Sequence, residues 1–482
     1  MSYLGIDVGT QGARALIVGQ DGTVLAEASL PFPQAEVPGL PPGWHEQDPR
    51  AWHEAVVSAV ATATADLRRA GGPPVEALSV TSTSGTLCLV DEQGEPLGPA
   101  IMYSDTRSAD LAAQVQGAGA GLAERLGYRF SASFALSKLT WVSRVQPERL
   151  ARARWCLSPA DLVAGWFSGE WGSSDWTNAL KMGYDLLDLR WPTFISQDLG
   201  LPAGLLPRVV APGTPIGAVS AQAAERTGLP VGARVVAGST DGVAAQLASG
   251  AVSPGDWNST LGTTLVIKGV SRSLLRDAQG RIYCHRHPEG YWLPGGASST
   301  GAECLAVRFG QDLDALNRAA LAHTPSGVVV YPLVRRGERF PFCRPEATGF
   351  ALDQAADRQC LYAAHLEGIA YVERLAYDVL RDLGASVGGT IHVAGGGIQS
   401  EAGLQVRADV LNRRLVAPAV PSAAMGAAVL AAYGHSQDGL SAVARRMVRH
   451  TREVTPRPGY HGMYADGYGR FVRACKERGY LP

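Results

Sequence analysis

A carboxylate, Asp7, stands directly before the loop Val8-Gly9-Thr10-Gln11-Gly12. Gly9 and Gly12 allow a tight turn that brings backbone N–H groups close to an anion, and Thr10 adds a hydroxyl donor. An aspartate beside a phosphate would repel it unless a cation lay between them, so Asp7 points to Mg²⁺. The plain alternative is a β-hairpin with a capped turn. A second loop of the same character, Leu261-Gly262-Thr263-Thr264, recurs in the other half of the chain. Two such loops, facing one another, would clamp the phosphates of one nucleotide.

Asp241 follows the apolar run Arg234–Gly238 and precedes an alanine-rich stretch. It either caps a helix or accepts a proton from a substrate hydroxyl. Phosphoryl transfer needs little more from a protein than positioning, charge neutralisation and one such base. Gly395-Gly396-Gly397 leaves an apolar run as a simple turn, or as a side-chain-free shelf for an adenine ring. A dinucleotide fingerprint is disfavoured there. Ser400 stands in place of the third glycine, and Leu415–Val420, where a ribose-binding acid is due, contains none. No lysine follows a glycine anywhere, which removes a P-loop. Cys284-His285-Arg286-His287 lacks a partner motif for a metal site.

The elements that must position these residues are legible. Tyr3–Ile6, Ala15–Val18 and Thr23–Ala26 read as strands, the last two joined by a turn at Gln20-Asp21-Gly22. A proline-rich loop spans 31–42, and helical spacing predicts a helix over 50–70. Residues 76–90 read as strand, polar turn, strand, and 107–167 as mostly helical. The opening pattern returns at Trp257–Leu261 and Leu265–Lys268; Thr390–Ala394 reads as a strand and Ala423–Tyr433 as a small-residue helix. The repetition predicts a duplicated α/β architecture divided near residue 245.

The bulk numbers fit that reading. The 482 residues are 46% hydrophobic and 18% charged, with a formal net charge of -1, so no global charge draws the chain to nucleic acid or an acidic membrane. Only Lys138, Lys181, Lys268 and Lys476 are lysines, a bias read here as genomic. Seven scattered cysteines without a CxxC pair predict reduced thiols. With no signal-peptide pattern and no long apolar span, the expectation is a cytoplasmic protein.

Taken in order, Asp7-x-Gly9-Thr10, the polar turn before residue 90, Asp105-x-Arg107, Asp241, Gly262-Thr263-Thr264 and Gly395-Gly396-Gly397 resemble the FGGY carbohydrate kinases over roughly residues 3–435. The resemblance implies an actin-like ATPase fold: two ribonuclease-H-like lobes with sugar and ATP in a cleft between them. Residues 1–245 would be the sugar-binding lobe with the first phosphate loop, 246–440 the ATP-binding lobe, and 441–482 a helical tail. Asp241 resembles the family's general base. Asp7 resembles the acidic residue near Mg²⁺. Gly9, Thr10, Gln11, Arg14, Gly262, Thr263, Thr264, Gly395, Gly396 and Gly397 are then candidate ATP contacts. Asp7, Thr83, Ser84, Asp105 and Asp241 are candidate sugar contacts. Where xylulose kinases carry Gln-Met-His-Gly this chain has Thr83-Ser84-Gly85-Thr86, and Asn178–Asp185 looks like the D-ribulose kinase branch. The expected sugar is D-ribulose, with D-xylulose second. A non-catalytic actin-like nucleotide-binding protein is the rival from another class. Nothing in the sequence opposes a homodimer, and neither nucleic acid nor membrane is an expected partner.

Overall fold

The computed structural model describes residues 1–32 and 35–481. Pro33 and Gln34, inside the proline-rich loop, and Pro482 lie outside the described residues. The chain forms two compact units. The first comprises Met1–Ala248, His285–Gly290 and Ser422–Arg449; the second comprises Ser249–Cys284, Tyr291–Pro421 and the chain from His450 onward.

The first unit is built on a six-stranded mixed sheet in the order Pro215–Ala218, Arg234–Thr240, Val75–Ser82, Ser2–Val8, Gly12–Gly19, Val24–Pro31. The three central strands are parallel, with Asp7 beside Thr81 and Thr81 beside Ser239. The first hairpin is antiparallel and pairs Asp7 with Arg14. Its strands run longer than the apolar cores that predict them, because backbone pairing extends to the loop itself. The helix Pro49–Arg69 begins with Asp48, whose side chain accepts the N–H of Arg50 at 3.0 Å. It buries Trp52, Val56, Ala59, Val60, Ala63 and Leu67 at helical spacing. The strands at either end of 76–90 do not form a hairpin. Val75–Ser82 belongs to the central sheet, whereas Cys88–Val90 pairs with Trp155–Leu157.

The helix Ala423–His435 belongs to this first unit, not to the second as the sequence division predicts. Its small residues explain why. A Cβ added to Gly5 would overlap the Ala424 carbonyl, and one added to Gly426 would overlap the Ala244 carbonyl. The helix therefore lies backbone to backbone on the first strand and on the helix Asp241–Ser249.

The second unit repeats the design. Trp257–Leu261 and Leu265–Gly269 form an antiparallel hairpin, and Trp257–Leu261 runs parallel to Thr390–Ala394. Arg414–Pro418 and His450–Val454 extend the sheet. The last segment is thus not only helical, since it supplies a strand before the helix Tyr460–Glu477. Among the described residues no helix is long and apolar enough to cross a membrane.

Candidate active site

Asp7 and Asp241 reach one place because their strands are parallel and end together. Asp7 sits at the C-terminal end of Ser2–Val8. Asp241 begins the helix Asp241–Ser249, directly after the strand ending at Thr240. Ligands in open α/β sheets bind outside the carboxyl ends of such strands. The strand bulges between Val236 and Ser239, where a Cβ on Gly238 would overlap the Val80 carbonyl. Thr240 N–H donates to Thr177 Oγ1 at 2.9 Å, and the Asp175 carboxylate in turn accepts the N–H of Thr177 at 2.7 Å and Asn178 Nδ2–H at 2.6 Å. Asp241 Oδ1 accepts the N–H of Gly242 at 2.6 Å. The carboxylate opens its helix and lines a cavity.

That cavity, about 580 Å³, is lined within the first unit by Asp7, Gly9, Thr10, Thr83, Ser84, Tyr103, Lys181 and Asp241, with Gly242, Ala245 and Ala423 at its base. Two carboxylates, four hydroxyls and an ammonium converge on it. Burial, reinforced by the charge of Asp241, pushes Asp7 up to about 6, while Arg14 opposes the rise. Asp7 Oδ1 is buried with no hydrogen-bond partner among the described residues. An orphaned, desolvated carboxylate oxygen is what a cation would satisfy. Among the described residues no group of three or more His, Cys, Asp or Glu side chains is disposed to hold a metal. A cation at Asp7 would draw its other ligands from phosphates and water, as Mg²⁺ does.

The loop carrying Thr10 is fixed from below. Gly9 N–H donates to the Gly12 carbonyl at 3.0 Å, and Gln47 Nε2 donates to the Thr10 carbonyl at 2.9 Å. Gly12 is required for packing, since its Cβ would meet Pro31 Cα at 3.0 Å. Gln11 and Arg14 do not line the cavity. The Gln11 carbonyl accepts from Phe32 N–H at 2.8 Å, and Arg14 Nε donates to Ser29 Oγ at 3.2 Å.

Asp105, expected to touch the sugar, is a correction. Its side chain is fully buried and both oxygens are engaged by Arg107 Nε at 3.0 Å, with Nη2 at 2.8 Å and His45 N–H at 2.6 Å. Arg107 also reaches Glu46 at 2.6 Å and lies 3.9 Å over the Trp44 ring. The D-x-R spacing builds a buried ion pair, and Asp105 is not among the residues lining the cavity. Conversely, Tyr103 and Lys181 line the cavity although neither is a candidate by sequence pattern. The signal for Lys181 was present: one of four lysines in an arginine-rich chain.

In the second unit the two glycine-rich loops meet. Gly262 N–H donates to the Thr264 carbonyl at 2.9 Å, and Ala302 N–H to the Gly262 carbonyl at 2.8 Å. Gly395, with φ 82°, would drive a Cβ to 2.5 Å from the Leu261 carbonyl, and Gly397 would meet Leu261 Cβ at 2.8 Å. Gly396 alone faces open space. The triple glycine thus packs through its outer members and leaves one bare backbone face. Glu338 braces this region. Its carboxylate accepts Ser298 Oγ–H and Thr300 Oγ1–H at 2.9 Å, Tyr331 O–H at 2.8 Å, and the backbone N–H of Ser299 and Arg339. The Thr300 carbonyl accepts from Leu265 N–H at 2.9 Å, just past Thr264.

The N-terminal domain of the FGGY family of carbohydrate kinases matches residues 2–248, and the family's C-terminal domain matches 258–435. A xylulose kinase from Streptomyces rubiginosus is 30% identical, covering 92% of this chain and 90% of its own. A gluconokinase from Bacillus subtilis is 25% identical over 93% and 91% of the two chains. The crystal structure of a "xyloylose kinase" from Brucella ovis superposes with a TM-score of 0.89 at 26% identity, covering 100% of both chains. The chain belongs to the FGGY family of carbohydrate kinases, ATP-dependent enzymes with an actin-like ATPase fold.

Proposed function

We propose that the protein transfers the γ-phosphoryl group of ATP to the terminal hydroxyl of a five-carbon ketose, with D-xylulose as substrate. The observation that carries this reading is the convergence of Asp7, Asp241 and hydroxyl donors on one cavity at the strand ends. Asp241 takes the hydroxyl proton, the sugar oxygen attacks phosphorus, and the bond to the β-phosphate oxygen breaks to release ADP. Asp241 stands in the first turn of its helix, at the cavity. Gly9 and Thr10 offer N–H and hydroxyl donors to the transferring group. Thr263 and Thr264 offer hydroxyls to the nucleotide phosphates, and Gly395, Gly396 and Gly397 a surface for adenosine. Mg²⁺ held at Asp7 supplies charge neutralisation on the phosphates. Thr83 and Ser84 hydrogen-bond the sugar hydroxyls.

D-xylulose leads because relatives along the whole chain carry the name xylulose kinase. D-ribulose is the second reading, on one specific observation: the residues lining the cavity include no histidine, and the polar turn is Thr83-Ser84-Gly85-Thr86. A site that changes a hydroxyl partner changes its sugar strongly. The test is a coupled ADP-release assay with D-xylulose, D-ribulose, L-ribulose, glycerol and D-gluconate. The expected result is turnover with a pentulose at least ten times that with the other two classes by kcat/KM. Preference for glycerol or gluconate would refute the reading.

A further inference from the structure

Among the described residues lining the cavity, Lys181 is the one cationic side chain. It lies on the 3₁₀ turn Leu180–Met182, which follows the short helix Trp176–Ala179 and ends at Gly183, φ 88°. The Asp175 carboxylate caps that helix through the N–H groups of Thr177 and Asn178, so the turn is rigidly placed. Gly85, φ 87°, makes room for the side chain: a Cβ there would come within 2.9 Å of Lys181 Cδ. The ammonium has no hydrogen-bond or ion-pair partner among the described residues; the Phe134 ring lies 6.0 Å from Nζ. Burial lowers its pKa and the Asp241 carboxylate raises it, so the two charges act on each other.

A half-buried ammonium without a partner, aimed into a cavity with two carboxylates, calls for an acceptor from a ligand. Carboxylates serve sugar hydroxyls, which donate. A ketone oxygen only accepts, so neither Asp7 nor Asp241 can satisfy it when ionised. Of the side chains lining the cavity, Lys181 alone is an obligate donor. Resting on the pentulose-kinase reading above, we infer that Lys181 is the specificity-determining residue that hydrogen-bonds the carbonyl oxygen of the ketose. It thereby selects open-chain ketoses over the corresponding pentitols, which carry a hydroxyl at that carbon.

The experiment compares wild type with Lys181→Met and Lys181→Gln on D-xylulose, D-ribulose and their pentitols, ribitol, xylitol and D-arabinitol. Each is measured for kcat and KM separately, beside thermal melting and KM for ATP. Lys181→Met raises the ketose KM and lowers kcat/KM about 10- to 100-fold, the size of one hydrogen bond to a charged group. Pentitol kcat/KM changes less than about threefold, so the ketose preference collapses. Lys181→Gln, which keeps an N–H donor, retains part of the preference and covers the case in which methionine disturbs the turn. Melting temperature and ATP KM stay within error of wild type. Unchanged ketose KM and unchanged preference in both variants overturn the assignment, as does an equal loss on ketoses and pentitols. A wild-type enzyme inactive on every pentulose fails the functional reading itself, a result visible before any variant is made.

Discussion

At Asp7 burial and one neighbouring charge act together, and a second charge opposes them. Desolvation and the neighbouring Asp241 raise its pKa to about 6, against the pull of Arg14. In the metal-free protein the folded chain therefore holds this proton at pH values where the unfolded chain, titrating near 4, has lost it. Between about pH 4 and 6 the native state binds more protons, so stability falls as pH rises through that window and is flat above it. Urea midpoints at pH 4.5, 5.5, 6.5 and 7.5 should show this slope in wild type and its loss in Asp7→Asn, a difference of order 1–3 kcal/mol across the window. An identical slope in both proteins would show that Asp7 is not so strongly desolvated. Single residues were unevenly legible. Asp7, Thr10 and Asp241 announce themselves by type and spacing with the loops. Asp105 misleads, because an acid two residues before an arginine looks the same whether it faces a ligand or its own neighbour. Only the fold shows Arg107 engaging both Asp105 oxygens.

Elements place these residues by close backbone approach, and glycine is the means. The helix Ala423–His435 lies on Gly5 at one face and offers Gly426 to Ala244 on the other, and Ala244 belongs to the helix that starts with Asp241. Gly426→Ala should push that helix outward, costing about 1–3 kcal/mol as overpacking and lowering kcat more than KM because Asp241 moves with its helix. A variant with wild-type melting and wild-type kcat would contradict this packing. In the second unit the buried pair Arg407–Glu373, at 2.6 and 2.9 Å, ties the helices Glu401–Leu411 and Arg358–Asp382. Glu373→Gln strips the charge that Arg407 needs and should cost about 3–5 kcal/mol, read in denaturant melts. Strand and helix positions were legible because alternation and helical period are local signals. Which strands pair was not. Cys88–Val90 finds its partner at Trp155–Leu157, some 65 residues on, and nothing in either run records the other.

The chain as a whole is interrupted where the sequence looks simply divided. The hairpins at Asp7 and Leu261 repeat one pattern, and the first continuous stretch of the first unit runs to Ala248. What composition could not carry is the return of Ser422–Arg449 to the first unit, because an alanine-rich helix suits any surface lined with glycine. It follows that residues 1–248, although they contain the whole match to the family's N-terminal domain, should not form a stable fragment. Without Ala423–His435 the sheet face at Gly5 is bare. Expressed alone, the fragment should lack a cooperative thermal transition and expose apolar surface to a dye such as ANS; a sharp transition would refute that. In the proposed mechanism the activity of the whole enzyme comes down to one proton acceptor, Asp241. The most direct measurement is pentulose-dependent ADP release by Asp241→Asn, with ATP binding and thermal melting recorded beside it. The account predicts a loss of about 10²- to 10⁴-fold in kcat with ATP affinity and melting near wild type. Turnover within a few-fold of wild type would contradict it.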